Sequence, residues 1–196
     1  MMVWLGRAAL GACILALAGC STFTPVPPGP FAAGANYQLT LGRQWTDVSK
    51  MVLGNPKQVR ILSIDGPILN RLYVTDGLAP GGYIVKPLAK ERPTPTYRTG
   101  SSPTELVEFV ADSVAALDYA RVETSGLRPA KFADAEALRF DIKAKTPAGL
   151  EVSGAALVCE RNGKLYVLLY LAPTEHYFAA NLPEVETILG SARMTR

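Results

Sequence analysis

Catalytic side chains are scarce in this chain. Its 196 residues include one histidine, His176, and three cysteines, Cys13, Cys20 and Cys159. One histidine and one free thiol cannot assemble a usual zinc set. Nucleophilic catalysis commonly needs a base beside a Ser or Cys, so Cys159 and His176 form the one Cys/His pair to consider. Cys159 falls on a strand opposite Tyr166 and His176 lies past that strand's far end, so the two are expected to sit apart, Cys159 as a buried small hydrophobe. Long apolar runs are also missing. Ala8–Leu17 is too short to span a bilayer, which takes about 20 residues. No Asp-x-Asp-x-Asp-Gly calcium loop and no phosphate-cradling glycine loop occurs. Concentrated basic charge is absent as well. Lys86, Lys90, Arg92 and Arg98 come nearest to it, but Glu91 interrupts them, so no nucleic-acid partner is expected. Asp134 and Glu136 are explained by a hairpin turn rather than by general acid–base work, and the neighbours Ser49 and Lys50 would point apart on a strand. No catalytic, cofactor-binding or metal residue is assigned, and a non-enzyme is expected; an uncharacterised hydrolase is the least favoured alternative.

The most specific signal is N-terminal. Arg7 precedes the apolar run, which closes on Leu17-Ala18-Gly19-Cys20. A single positive charge, about 7–15 apolar residues and small residues at the end are the parts of a secretory signal. Leu10-Gly11-Ala12-Cys13 is superficially alike, but cleavage there would leave too little apolar chain to insert. The Leu17–Cys20 segment resembles the type II signal of bacterial lipoproteins. That resemblance implies removal of residues 1–19 and lipidation of Cys20, with two or three acyl chains holding the protein stably where one alone would be marginal. Ser21, in place of an aspartate, implies the periplasmic face of the outer membrane. With Cys20 acylated and Cys13 removed, only Cys159 remains, so no intramolecular disulfide is expected.

Residues 20–36 are read as the acylated cysteine and a flexible tether, because Pro25, Pro27, Pro28 and Pro30 favour extended polyproline geometry. Residues 37–196 are read as a single globular domain, long enough to bury a core. Tyr37–Leu41, Trp45–Lys50, Val59–Ile64, Ile68–Thr75 and Tyr83–Val85 are expected strands punctuated by Asp65-Gly66, Asp76-Gly77 and Gly81-Gly82. Ser102-Pro103-Thr104-Glu105 opens a helix, with a capping serine, a proline at the first helical position and a glutamate three residues after the cap. Leu106, Phe109, Val110, Val114 and Leu117 give it one apolar face. Leu138, Phe140, Ile142 and Ala144 alternate with Arg139, Asp141, Lys143 and Lys145, the pattern of a strand with one dry and one wet face. Glu151–Glu160 and Lys164–Leu171 flank Asn162-Gly163, a strong hairpin signal. The return strand is apolar on both faces and is expected at the centre of a sheet covered on both sides. Asn181–Glu184 is expected to cap a last helix carrying Leu182, Val185, Ile188 and Leu189. The class is therefore α+β, an antiparallel β-sheet with helices on both faces (an α/β/α sandwich).

The helix at 103–118, the segment 129–144, the hairpin 163–173 and the closing helix at 182–192 together resemble the PsbP-like fold. Members of that group are mostly non-catalytic interaction or assembly proteins. Together with the lipid anchor, the tether and the lack of catalytic motifs, the resemblance leads to the expectation of a non-catalytic membrane-anchored envelope lipoprotein that presents a surface to an envelope protein partner. Loop 91–102 and segment 76–87 are the expected surfaces, and a Gly/Ser replacement of 91–102 is expected to keep the fold. The alternative is a lipoprotein that binds a lipid or small apolar ligand, with Phe109, Phe140, Tyr166 and Tyr170 lining its pocket.

Overall fold

The computed structural model describes residues 23–86 and 93–195. The signal segment, Cys13 and Cys20 lie outside the described residues, as do Lys90 and Arg92. The described chain runs β1 (Thr24–Val26), β2 (Gly29–Ala32), β3 (Tyr37–Leu41), β4 (Trp45–Asp47), a 3-10 turn (Ser49–Met51), β5 (Val59–Ser63) and β6 (Arg71–Thr75). It continues through α1 (Pro103–Ala115), β7 (Ala120–Phe132), β8 (Ala135–Lys145), β9 (Glu151–Arg161), β10 (Lys164–Pro173), α2 (Ala179–Leu189) and β11 (Arg193–Met194). One eight-stranded sheet has the order β1-β4-β5-β6-β10-β9-β8-β7, and a three-stranded sheet has the order β11-β3-β2. The pairings are antiparallel.

The alternation read from β10 decides the layering. Leu165, Val167, Leu169 and Leu171 enter one core with Phe140 and Ile142 of β8 and with Leu106, Phe109, Val110 and Val114 of α1. Tyr166, Leu168, Tyr170 and Ala172 enter a second core with Val185, Ile188 and Leu189 of α2. Phe31, Tyr37, Leu39 and Leu41 of the small sheet join that second core. Successive strand residues point to opposite sides, so the two cores lie on opposite faces of the large sheet. The α+β class stands, and the sheet arrangement changes. The expected single sheet is two sheets, and β2-β3-β11 shares the second core with α2.

α1 begins as its sequence dictates. The Glu105 backbone N–H donates to Ser102 Oγ (3.3 Å), and the Ser102 N–H donates to Glu105 Oε2 (2.7 Å). Pro103 occupies the first turn, where its missing N–H costs no helical bond. At the β9–β10 turn, Asn162 (φ 51°) and Gly163 (φ 70°) both take the left-handed conformation that a two-residue hairpin needs. Cys159 pairs with Tyr166, the expected register.

Several expectations change. Residues 20–36 are not all tether, because Thr24–Val26 pairs with β4 and Gly29–Ala32 with β3. Phe31 is buried in the second core, so folded structure starts before Tyr37. Proline is tolerated on edge strands, and β1 and β2 are both edges. β4 stops at Asp47, and Ser49 and Lys50 fall in the 3-10 turn. Tyr83–Val85 is irregular rather than a strand. Asn181 does not cap α2. It lies inside the helix and is buried, with Phe178 at the capping position. Arg139, expected on a wet face, is buried, because α2 brings Glu186 over it. No described helix is long and apolar enough to cross a membrane.

Candidate functional site

Loop 93–101 sits at the N-terminal end of α1 and is pinned from several sides. The Tyr97 N–H donates to the Gly82 carbonyl (2.8 Å), and the Gly81 N–H donates to the Tyr97 carbonyl (2.8 Å). These bonds join the described parts of the two segments that the sequence marks as surfaces, 76–87 and 91–102. The Tyr97 ring is buried in the first core with Ile84 and Val85. The Gly100 N–H points at the Glu160 carboxylate, 3.1 and 3.2 Å from its two oxygens. Ser101 Oγ donates to the Arg98 carbonyl (2.8 Å). The described part of the loop is therefore a held ridge. Replacing 91–102 with Gly and Ser would remove a core tyrosine and the α1 cap, so the expectation that the fold survives this exchange is withdrawn.

Two open hollows flank the ridge and meet at Ser101. The first, of about 340 Å³, lies against α1 between Thr94, Tyr97 and Arg98 on one side and Glu105, Glu108 and Asp112 on the other. Three carboxylates face one guanidinium there, so the cleft is acidic. Hydrogen bonds from Ser102 hold the Glu105 carboxyl below the usual carboxylate range. The second hollow, of about 450 Å³, is a groove between α1 and the outer strands. Leu106, Pro129, Ala130, Leu138 and Val158 make it apolar, with Lys131, Glu136 and Glu160 among its lining residues. β7, whose residues 129–131 line the groove, is polar and largely exposed, with no apolar alternation to mark it as a strand. Pocket-scale concavity of this kind has no sequence signature, and this groove escaped the sequence reading.

The structure separates the other candidates. Tyr166, the partner of Cys159, and Pro173 lie at opposite ends of β10, about 23 Å apart along a strand of normal rise, and His176 lies beyond Pro173. Cys159 is buried, and burial pushes its thiol up to about 11, the reverse of an activated nucleophile. His176 is exposed in a turn ahead of α2, with φ 67° and ψ −67°. Asp134, at the β7–β8 turn, pairs with Arg161, which holds its carboxyl below the usual range. Ser49 Oγ accepts the Ile61 N–H (2.8 Å), which leaves the hydroxyl in a structural role. Phe109 and Phe140 belong to the first core, while Tyr166 and Tyr170 belong to the second. These four cannot line one pocket, and that form of the ligand site is corrected. Among the described residues, no group of three or more His, Cys, Asp or Glu side chains is placed to hold a metal.

A second polar cluster also escaped the sequence reading. The Asn181 amide donates to Asp65 Oδ2 (2.9 Å), and Asn181 Oδ1 accepts from Arg43. Asn70 donates to the same Asp65 oxygen (2.6 Å) and accepts from the Ile64 N–H (2.9 Å). Its members are spread over 138 positions of sequence, and each is already engaged, so the cluster reads as a structural clasp between α2 and the sheet.

No protein-family model matches the chain, and no curated protein matches it by sequence. Solved structures do match. The cyanobacterial PsbP of Synechocystis aligns over 95% of this chain and 99% of its own, with a TM-score of 0.52 and 15% identity. A Ran-binding protein of Saccharomyces cerevisiae aligns over 87% of this chain and 94% of its own, with a TM-score of 0.53 and 8% identity. LpqN of Mycobacterium tuberculosis, described as involved in cell envelope biogenesis, aligns over 89% of this chain and 91% of its own at 15% identity, but its TM-score of 0.37 is too loose to bear on the fold. The likeness to the first two lies in the path of the backbone, and the chain has a PsbP-like fold.

Proposed function

We propose that this protein is a non-catalytic envelope lipoprotein, lipidated at Cys20 and held at the periplasmic face of the outer membrane. Its α+β domain, layered by α1 on one face and by α2 with the small sheet on the other, acts as an interaction or assembly module for an envelope protein partner. The observation that supports this reading is the pinned ridge 93–101. Core burial of Tyr97 and the bonds to Gly82 and Glu160 fix its shape, with an acidic cleft on one side and an apolar groove on the other. A pre-organised surface lowers the ordering cost of binding, and it needs no nucleophile–base pair. One of the two structural neighbours is named for binding a protein, Ran, which is a role of the same kind.

The test reverses charge on the cleft without touching the fold. Glu108 and Asp112 are exposed on α1, and surface substitutions of this type usually shift stability by only about 0.5 kcal/mol. The Glu108→Arg, Asp112→Arg double variant is expected to keep its thermal midpoint within a few degrees and to lose most crosslinked partner from native membranes. Undiminished capture would remove the cleft from consideration.

The apolar groove favours a second reading, a lipoprotein that binds a lipid or small apolar ligand. Native mass spectrometry of the delipidated domain separates the two. A reproducible extra mass, lost in Leu138→Glu, supports a ligand, and a clean apo mass opposes one.

A further inference from the structure

We propose that the tip between β4 and β5 dips into an anionic phospholipid bilayer, so that the domain lies on the membrane beside its own anchor. The inference rests on the reading of Cys20 as the lipidated residue.

Chain length supplies the first argument. β1 starts at Thr24, so only residues 21–23 separate Cys20 from folded structure. Four residue steps span at most about 14 Å even when fully extended. Much of the expected tether is folded into β1 and β2, so the domain cannot stand far from the acyl chains.

Topology supplies the second. β1 is antiparallel to β4, with Thr24 opposite Asp47 and Val26 opposite Trp45. β1 therefore begins at the end of the large sheet where β4 finishes. β4 runs directly into Ser49–Met51 and the tip at that same end.

The tip has the chemistry of a membrane contact. Met51, Val52 and Leu53 are consecutive exposed apolar residues, and Leu53 is 99% exposed. Phe23, beside Thr24, is exposed as well. Neighbouring apolar residues left in water mark an interaction site more than scattered ones do. Lys50 and Lys57 flank the tip, and no acidic residue lies between them. Two carboxylates lie at this end of the sheet: Asp47 is engaged by Arg60, and Asp76, whose N–H donates to the Gln58 carbonyl (2.7 Å), accepts from the Ala35 N–H (2.9 Å). The tip thus joins an apolar point to two flanking lysines, which suits a surface of anionic headgroups over hydrocarbon. Ile68 provides an internal contrast. It is 90% exposed, but it lies between β5 and β6, at the opposite end of the sheet from the tip.

The test uses full-length protein processed in a bacterial host and reconstituted in phosphatidylethanolamine–phosphatidylglycerol vesicles doped with brominated lipid. Leu53→Trp and Ile68→Trp variants are compared, with buried Trp45 as a background common to both. Intact mass reports acylation of Cys20 independently. With Cys20 acylated, bromolipid should quench the Leu53→Trp emission at least about two-fold more than that of Ile68→Trp, as expected for a side chain below the headgroups. Replacing Lys50 and Lys57 with Glu should abolish the difference. Equal quenching in acylated protein would overturn the proposal and leave the lipoprotein reading intact. An unmodified Cys20 would overturn that reading and this proposal with it.

Discussion

Buried polar residues carry the strongest predictions at the scale of single side chains. Asn181 is almost fully buried, and it connects Asp65 of the β5–β6 loop with Arg43 of the β3–β4 loop. Asn181→Leu would leave Asp65 one donor short and Arg43 without this acceptor, a loss of about 1–3 kcal/mol. Chemical denaturation should show a lower midpoint with an unchanged slope. An unaltered midpoint would mean that water replaces the clasp without cost. Cys159 supports a prediction about pH. Burial raises its thiol to about 11 in the folded protein, against about 8.5 for a free cysteine. A raised folded value favours the protonated form, so this contribution is fully present below about pH 8.5 and is lost as pH rises toward 11. The thiol should resist labelling at pH 7.5 and react fully once the chain is unfolded. Rapid labelling of native protein would contradict its burial. Of these two residues, only Cys159 was legible in advance, because a free cysteine on a strand behaves as a small hydrophobe. Asn181 read as a helix cap, since nothing local distinguishes a capping asparagine from one whose partners lie far away in sequence.

Elements were legible where hydrophobic period and local turn chemistry agree. α1 follows from its capping box and apolar spacing, and β8–β10 follow from alternation and Asn162-Gly163. Ser102→Ala should cost about 1 kcal/mol by removing the Oγ that accepts from Glu105 N–H. A thermal melt reads this directly, and no change would show that water caps the helix equally well. Elements were illegible where edges excuse the usual rules. β1 and β2 contain Pro25 and Pro30, which normally argue against strands, yet an edge strand leaves some N–H groups without a ladder partner in any case. β7 carries Glu123, Thr124 and Ser125 and has register shifts on either side of them, features that protect an edge from foreign pairing and also erase the period-two signal. Tyr83–Val85 misled in the other direction. Ile84 and Val85 are buried in the first core with Tyr97, and burial does not require a ladder.

At the scale of the molecule, the revised boundary is the main consequence. A chain beginning at Tyr37 would lack β1 and β2, leaving β4 as a bare edge and removing Phe31 from the second core. Deleting a buried aromatic side chain alone typically costs about 3–5 kcal/mol. A fragment of residues 37–196 should therefore melt well below one of residues 21–196, and equal melting would restore the tether reading. The same boundary shortens the expected tether, so that an anchor at Cys20, as proposed, would hold the domain close to the membrane. The two hollows beside the ridge 93–101 became visible only in three dimensions, because Arg98, Leu106, Pro129 and Val158 come from separate elements and share no motif.

Crosslinked affinity capture from native membranes, comparing the wild-type chain with Cys20→Ala behind the same signal, tests the anchored-module claim most directly. A defined envelope protein should be captured by the wild type and strongly depleted with Cys20→Ala. Recovery of the same partner at the same level by both chains, with Cys20→Ala released from the membrane, would contradict the claim that the anchor positions this surface for its partner.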